Sequence, residues 1–262
     1  MHRVRLVSSI LLLPVVVSRA ESQAPGKGVT VAIDIKSVTV VGDTVAVTER
    51  VTNSASSRDS LLTYMIDSPS GITAIQRPTT GGIWVAQRAY RGRPMAYWII
   101  GSTIVPGGTS PDLYFVSVGV PGIVTYWAQG EHEPAEVRDV PDSTVTYDPM
   151  NDEMVNGSTV GVSPWPVDRS AAGLLSRLRG LTQTSCASPL SWVNDSSLCT
   201  QLLVTLDQAE SYRANGQTTE ARASLDAYTA SLSGPNGTFA PGVSSSGYWL
   251  LVANANIVKS LL

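Results

Sequence analysis

Hydrophobic and polar residues alternate over much of the first half of the chain. Val29, Val31, Ile33 and Ile35 interleave with Thr30, Ala32, Asp34 and Lys36, the period-two signature of a strand with one buried face. Gly42-Asp43 separates Val38–Val41 from Thr44–Val51 and predicts a hairpin. Short apolar runs at Leu61–Ile66, Ile72–Gln76, Ile83–Gln87, Met95–Ile100, Leu113–Val118 and Ile123–Ala128 predict further strands. Breakers such as Asp67-Ser68-Pro69-Ser70-Gly71 and Pro106-Gly107-Gly108 lie between them. Seven or eight strands at roughly ten-residue spacing, with no helix between them, specify an antiparallel sandwich or barrel.

The pattern then changes twice. Residues 129–167 are rich in Pro, Asp and Glu and read as a linker, with Val145–Tyr147 and Ser158–Val162 as candidate edge strands. Ser163-Pro164-Trp165-Pro166 reads as a stiff hinge. After Asp168 the period becomes helical. Leu174, Leu175, Leu178 and Leu181 form a first stripe, with Asp168 or Ser170 as its N-cap. Leu198, Leu202, Leu203, Leu206 and Ala209 form a second, ending at Asn215-Gly216. Thr218 or Thr219 caps a third helix, which presents Ala221, Leu225, Tyr228 and Leu232. Leu250, Leu251, Ala255, Val258, Leu261 and Leu262 form the last stripe. Each stripe covers about a third of its helix, so the four helices must pack on one another.

The expected fold class is therefore multidomain β + α. An antiparallel immunoglobulin-like β-sandwich over residues 28–128 is followed by a small antiparallel α-helical bundle over residues 168–262. Within the helical part, Leu202-x-x-x-Leu206-x-x-Ala209, Gly216, Ala221-x-x-x-Leu225-x-x-Tyr228 and the closing apolar helix together resemble the FIMAH module of secreted bacterial adhesins and hydrolases. The resemblance covers about 90 residues, a third of the chain. It implies a secreted or surface accessory module without an active site of its own. A tetratricopeptide-like hairpin also fits Ala209 to Tyr228, but no second copy follows, which excludes an array.

The N-terminus adds a compartment. Arg3 and Arg5 precede the apolar run Leu6–Val17 and the small-residue site Ser18-Arg19-Ala20, so residues 1–20 read as a cleaved signal peptide. Retention of that segment as an anchor is the alternative. Removing Arg3, Arg5 and Arg19 leaves 15 of 18 basic side chains against 21 acidic ones, a balance of −6. Such a surface lacks the basic face that nucleic acid requires. Cys186 and Cys199, an even count thirteen positions apart in an exported chain, read as one disulfide. Two thiols without a nearby His are too few ligands for zinc. Closing so short a loop stabilises by about 3 kcal/mol on the chain-entropy model.

Candidate chemistry is sparse. His132, in Glu131-His132-Glu133-Pro134, is the one histidine left after processing and reads as an exposed polar turn. Gly242-Val243-Ser244-Ser245-Ser246-Gly247 has one residue too many for a nucleophile elbow and reads as the N-cap of the last helix. Asp112, Glu131, Glu133, Asp139 and Asp142 are scattered near strand ends or in the linker, the pattern of a solvated face rather than of paired catalytic acids. No metal site or cofactor is expected, and no catalytic residue is assigned.

Aromatic residues are the stronger lead. Trp84, Tyr97, Trp98, Tyr126 and Trp127 form a candidate binding platform, set against the simpler reading that they fill a core poor in Phe. Adjacent strand residues point to opposite faces, so one member each of Tyr97-Trp98 and Tyr126-Trp127 should turn outward. The expected function is that of an exported, non-catalytic accessory protein outside the cytoplasm, binding an envelope protein or a surface polysaccharide. The alternative is a structural subunit held peripherally on a membrane-associated complex.

Overall fold

The computed structural model describes residues 28–78, 83–90, 93–131 and 154–262. Residues 1–20, His132, Glu133, Asp139, Asp142 and the candidate strand Val145–Tyr147 lie outside the described residues. Nine strands are described: β1 (Val31–Val41), β2 (Thr44–Asn53), β3 (Leu61–Asp67), β4 (Ala74–Gln76), β5 (Trp84–Tyr90), β6 (Arg93–Ile104), β7 (Leu113–Val118), β8 (Val120–Gly130) and β9 (Val155–Ser163). They form two antiparallel sheets, ordered β1-β2-β7-β4 and β5-β6-β3-β8-β9. Buried side chains from both, including Val45, Val47, Val51, Leu61, Trp98, Leu113 and Phe115, make one shared core.

Much of the alternating pattern lands where the sequence puts it. β1 and β2 pair across Gly42-Asp43, from Val41 opposite Thr44 to Val31 opposite Asn53, with Gly42 at φ +57°, a backbone conformation glycine adopts without strain. The Ile72–Gln76 run yields only the three residues of β4. The larger difference is β9. The candidate edge strand Ser158–Val162, within the stretch read as a linker, is part of a longer nine-residue strand paired with β8 from Val120–Ser163 to Ala128–Val155. Its glycines make room: a Cβ at Gly157 would lie 2.7 Å from the Tyr126 ring, and one at Gly161 would lie 2.4 Å from Val124.

Four α-helices follow: α1 (Ala171–Cys186), α2 (Ser196–Ala214), α3 (Thr218–Ser231) and α4 (Ser245–Ser260). They share a second core built on Leu174, Leu178, Leu202, Leu206, Leu225, Tyr228 and Leu251. Ser170 caps α1, Asp195 caps α2 through Ser197 and Leu198, and Ser244 caps α4. The α3 N-cap is Gln217, without a side-chain bond, rather than Thr218 or Thr219, because both threonines already lie in the first turn. Cys186 and Cys199 form a disulfide that ties the end of α1 to the start of α2. Among the described residues no helix is long and apolar enough to cross a membrane.

Sheets and helices are fused rather than hinged. Leu250 and Ala253 of α4 enter the core between the sheets, while Val120 of β8 enters the helical core. The Ser245 hydroxyl accepts from the Ile35 N–H of edge strand β1 at 3.1 Å. β3 pairs with β8 only over Tyr126–Gly130, so Val120–Thr125 has β9 alone as its strand neighbour. There the Pro121 carbonyl accepts from Asn254 Nδ2 at 3.1 Å and from Arg177 at 2.9 Å. Arg177 in turn donates to Asn254 Oδ1 at 2.6 Å, and Asn254 Nδ2 reaches the Leu250 carbonyl at 2.8 Å. The segment Ser163–Pro166 therefore connects two layers that are already locked.

One acid is buried between the sheets. Glu49 sits on the inner face of β2 with no exposed surface. Thr159 Oγ1 of β9 donates to its Oε2 at 3.3 Å, and Tyr64 of β3 is its other polar neighbour. Burial, only partly offset by those two hydroxyls, pushes its carboxyl from 4.5 up to about 8. The folded state thus keeps a proton that the unfolded chain releases, and the contribution is greatest below pH 4.5 and lost as pH rises to about 8. Denaturant titrations from pH 4 to 9 should show wild type losing stability relative to Glu49→Gln, by at most on the order of 5 kcal/mol. Equal slopes for the two proteins would refute this. Separately, Asn254→Ala and Arg177→Ala should each cost about 1–3 kcal/mol, with a double-mutant coupling because both serve the Pro121 carbonyl.

Candidate functional site

Two of the candidate platform residues, Trp98 and Trp127, are buried on opposite faces of their sheet. Trp98, expected as a platform residue, faces the inter-sheet core and has no exposed surface. It stacks on Tyr64 with centroids 5.8 Å apart and meets Phe115 edge-on at 6.1 Å. Tyr126 is half-buried beside Tyr64 at 5.9 Å. Their neighbours do turn the other way: Tyr97 and Trp127 both lie opposite Met65, one on each side. Outward does not mean exposed, however. Trp127 is only 8% exposed, clustered with Met65, Met95 and Met154. Trp84 lies on β5 opposite Ile99. Period two separates the two faces of a sheet, but it does not say which face another part of the molecule covers.

Concavity occurs instead at the seam between sheets and helices. A groove of about 640 Å³ lies between the β1–β2 hairpin and α4, lined by Val38, Val40, Asp43, Trp165, Arg169 and Leu261 among others. Its size is in the range of binding clefts. Trp165, between Pro164 and Pro166, is held half-buried against the helical core. Its indole N–H is shielded from solvent and has no acceptor. The Arg169 guanidinium sits 4.9 Å from the Trp165 ring centre, and Asp43 stands 4.0 Å from Arg169. Both charged groups are exposed at the rim, so their pairing adds little stability.

Four exposed aliphatic residues belong to this same end of the molecule. Leu261 and Val41, 51% and 72% exposed, lie in and next to the groove lining. Val167 lies between Trp165 and Arg169, and Val118 pairs beside the hairpin through Thr44. Exposed aliphatic side chains beside an apolar-walled cleft are the arrangement of an interaction surface. The signal for it in the sequence was Trp165 itself, a tryptophan between two prolines at a joint.

Among the described residues no three His, Cys, Asp or Glu side chains come together as a metal cluster. Asp112 and Glu131 are both exposed.

No family model and no curated protein matches the chain. Among solved structures, an uncharacterized protein from Nocardia farcinica, described as having an immunoglobulin-like fold, is similar at 14% identity. The match covers 49% of this chain and 96% of that one, with a TM-score of 0.28. Replacing Trp165 by Phe should leave stability within about 1 kcal/mol of wild type, since the discarded donor has no acceptor to lose. A larger loss in thermal denaturation would refute this.

Proposed function

We propose that this is an exported, non-catalytic binding protein that engages an envelope protein through the groove between the β1–β2 hairpin and α4. The observation that carries the reading is the groove of about 640 Å³ itself, walled by Val38, Val40, Trp165, Ile257 and the exposed Leu261, with the exposed Val41 next to it in the hairpin. A partner presenting apolar side chains would cover those walls, with Arg169 and Asp43 as a polar edge. The Cys186–Cys199 disulfide is consistent with an oxidising compartment outside the cytoplasm, the destination implied by the signal-like first twenty residues. We take the sheets as an immunoglobulin-like sandwich and the helices as a FIMAH-like accessory module, with no cofactor.

The same apolar groove also suits a structural subunit of a membrane-associated complex, and stoichiometry separates the two readings. A photo-crosslinker placed at Val41 or Leu261 in the full chain, followed by mass spectrometry from intact cells, tests both. One specific protein adduct that disappears in Trp165→Ala is the expected outcome. A fixed-ratio set of membrane proteins would favour the subunit. Recovery of polysaccharide, or of no protein above background, would overturn the groove as a protein interface.

A further inference from the structure

The sheet β1-β2-β7-β4 carries a second concavity, away from the groove. Tyr114 on β7 lies directly between Thr48 on β2 and Gln76 on β4, so the three form one row across the outer face. Arg50 and Asp112 form the next row, with Arg50 Nε donating to Asp112 Oδ1 at 2.5 Å. Pro78 and Pro111 also line the resulting dish of about 470 Å³. Tyr114 is half-buried within it, while Gln76, Arg50 and Asp112 are exposed. The principal helix contacts fall on β1, β8 and β9, on other parts of the sandwich.

We propose that this dish binds a neutral pyranose oligosaccharide. An aromatic face takes the apolar C–H side of a sugar ring, while planar guanidinium, carboxylate and amide groups meet hydroxyls in the ring plane. The lining supplies one aromatic and three planar polar side chains on a rigid strand framework. Arg50 and Asp112 cancel each other's charge, so the dish favours an uncharged ligand over a uronate or a phosphate. Their mutual ion pair also holds both side chains in place before the ligand arrives, which lowers the ordering cost of binding. A protein partner is the poorer fit, because the dish lacks the apolar centre such interfaces are built around.

The site uses none of the residues of the groove, so either can fail alone. The full chain, labelled with ¹⁵N, is titrated with tetrasaccharides of glucose, galactose and mannose, and with a galacturonate tetramer as charged control. At least one neutral sugar should shift the amides around Thr48, Gln76 and Tyr114, with an affinity of roughly millimolar or tighter. Tyr114→Ala should weaken that binding by ~10-fold or more, Tyr114→Phe by less than ~3-fold, and Trp165→Ala not at all. Gln76→Ala, at an exposed position, provides a second loss-of-binding variant should Tyr114→Ala fold poorly. Absence of shifts at ~10 mM for every neutral sugar would overturn the proposal. So would shifts centred elsewhere, or tighter binding of the galacturonate.

Discussion

The structure depends on how its last helix closes the side of the sheets. An antiparallel sheet ends in a strand whose backbone groups need partners, and an uncovered edge invites pairing with other chains. Here β1 is such an edge, and Val120–Thr125 of β8 has no strand on its β3 side. α4 serves both places: Ser245 accepts from Ile35, Asn254 donates to Pro121, and Leu250 with Ala253 fills the apolar space between. Arg177 ties α1 to the same carbonyl. Because Val120 is part of the helical core, the exchange runs in both directions. Removing the helices would thus expose a strand edge and open the core between the sheets, rather than merely delete a neighbour.

That closure also creates the groove. The β1–β2 hairpin projects beyond the contact with α4, and the chain returning from β9 places Trp165 and Arg169 across the gap. The two concave sites differ in character for reasons of position. The groove lies where two elements meet, so it inherits apolar walls from both. The Tyr114 dish lies on a single solvated sheet face, where alternation puts polar residues.

The sequence was most informative where one periodicity ran undisturbed. Alternation located β2, β3 and β7 closely, and the helical stripes identified Leu178, Leu202, Leu206, Leu225 and Leu251 as buried. β9 was read only as the short edge strand Ser158–Val162 because Asn156 and Gly157 look like turn residues, whereas Gly157 and Gly161 are there to accommodate Tyr126 and Val124 across the ladder. Such a requirement belongs to the partner strand and leaves no trace in local composition. Glu49 is the opposite case. It holds an inward position in step with Val45, Val47 and Val51, and only its charge argued against burial. Adjacency fixes that Tyr97 opposes Trp98 and Tyr126 opposes Trp127, but it cannot bury Trp127, whose methionine neighbours Met65, Met95 and Met154 come from separate parts of the chain.

The order of elements along the chain has a bearing on biogenesis. α4 follows all nine described strands, yet supplies side chains to the core between the sheets. A polypeptide emerging from its N-terminus therefore has both sheets outside before the segment that seals them arrives. In that interval the β1 edge and the Val120–Thr125 stretch are available to any extended strand nearby. A break before Ser245 would thus leave sheets whose open edges are poised to pair with their own kind.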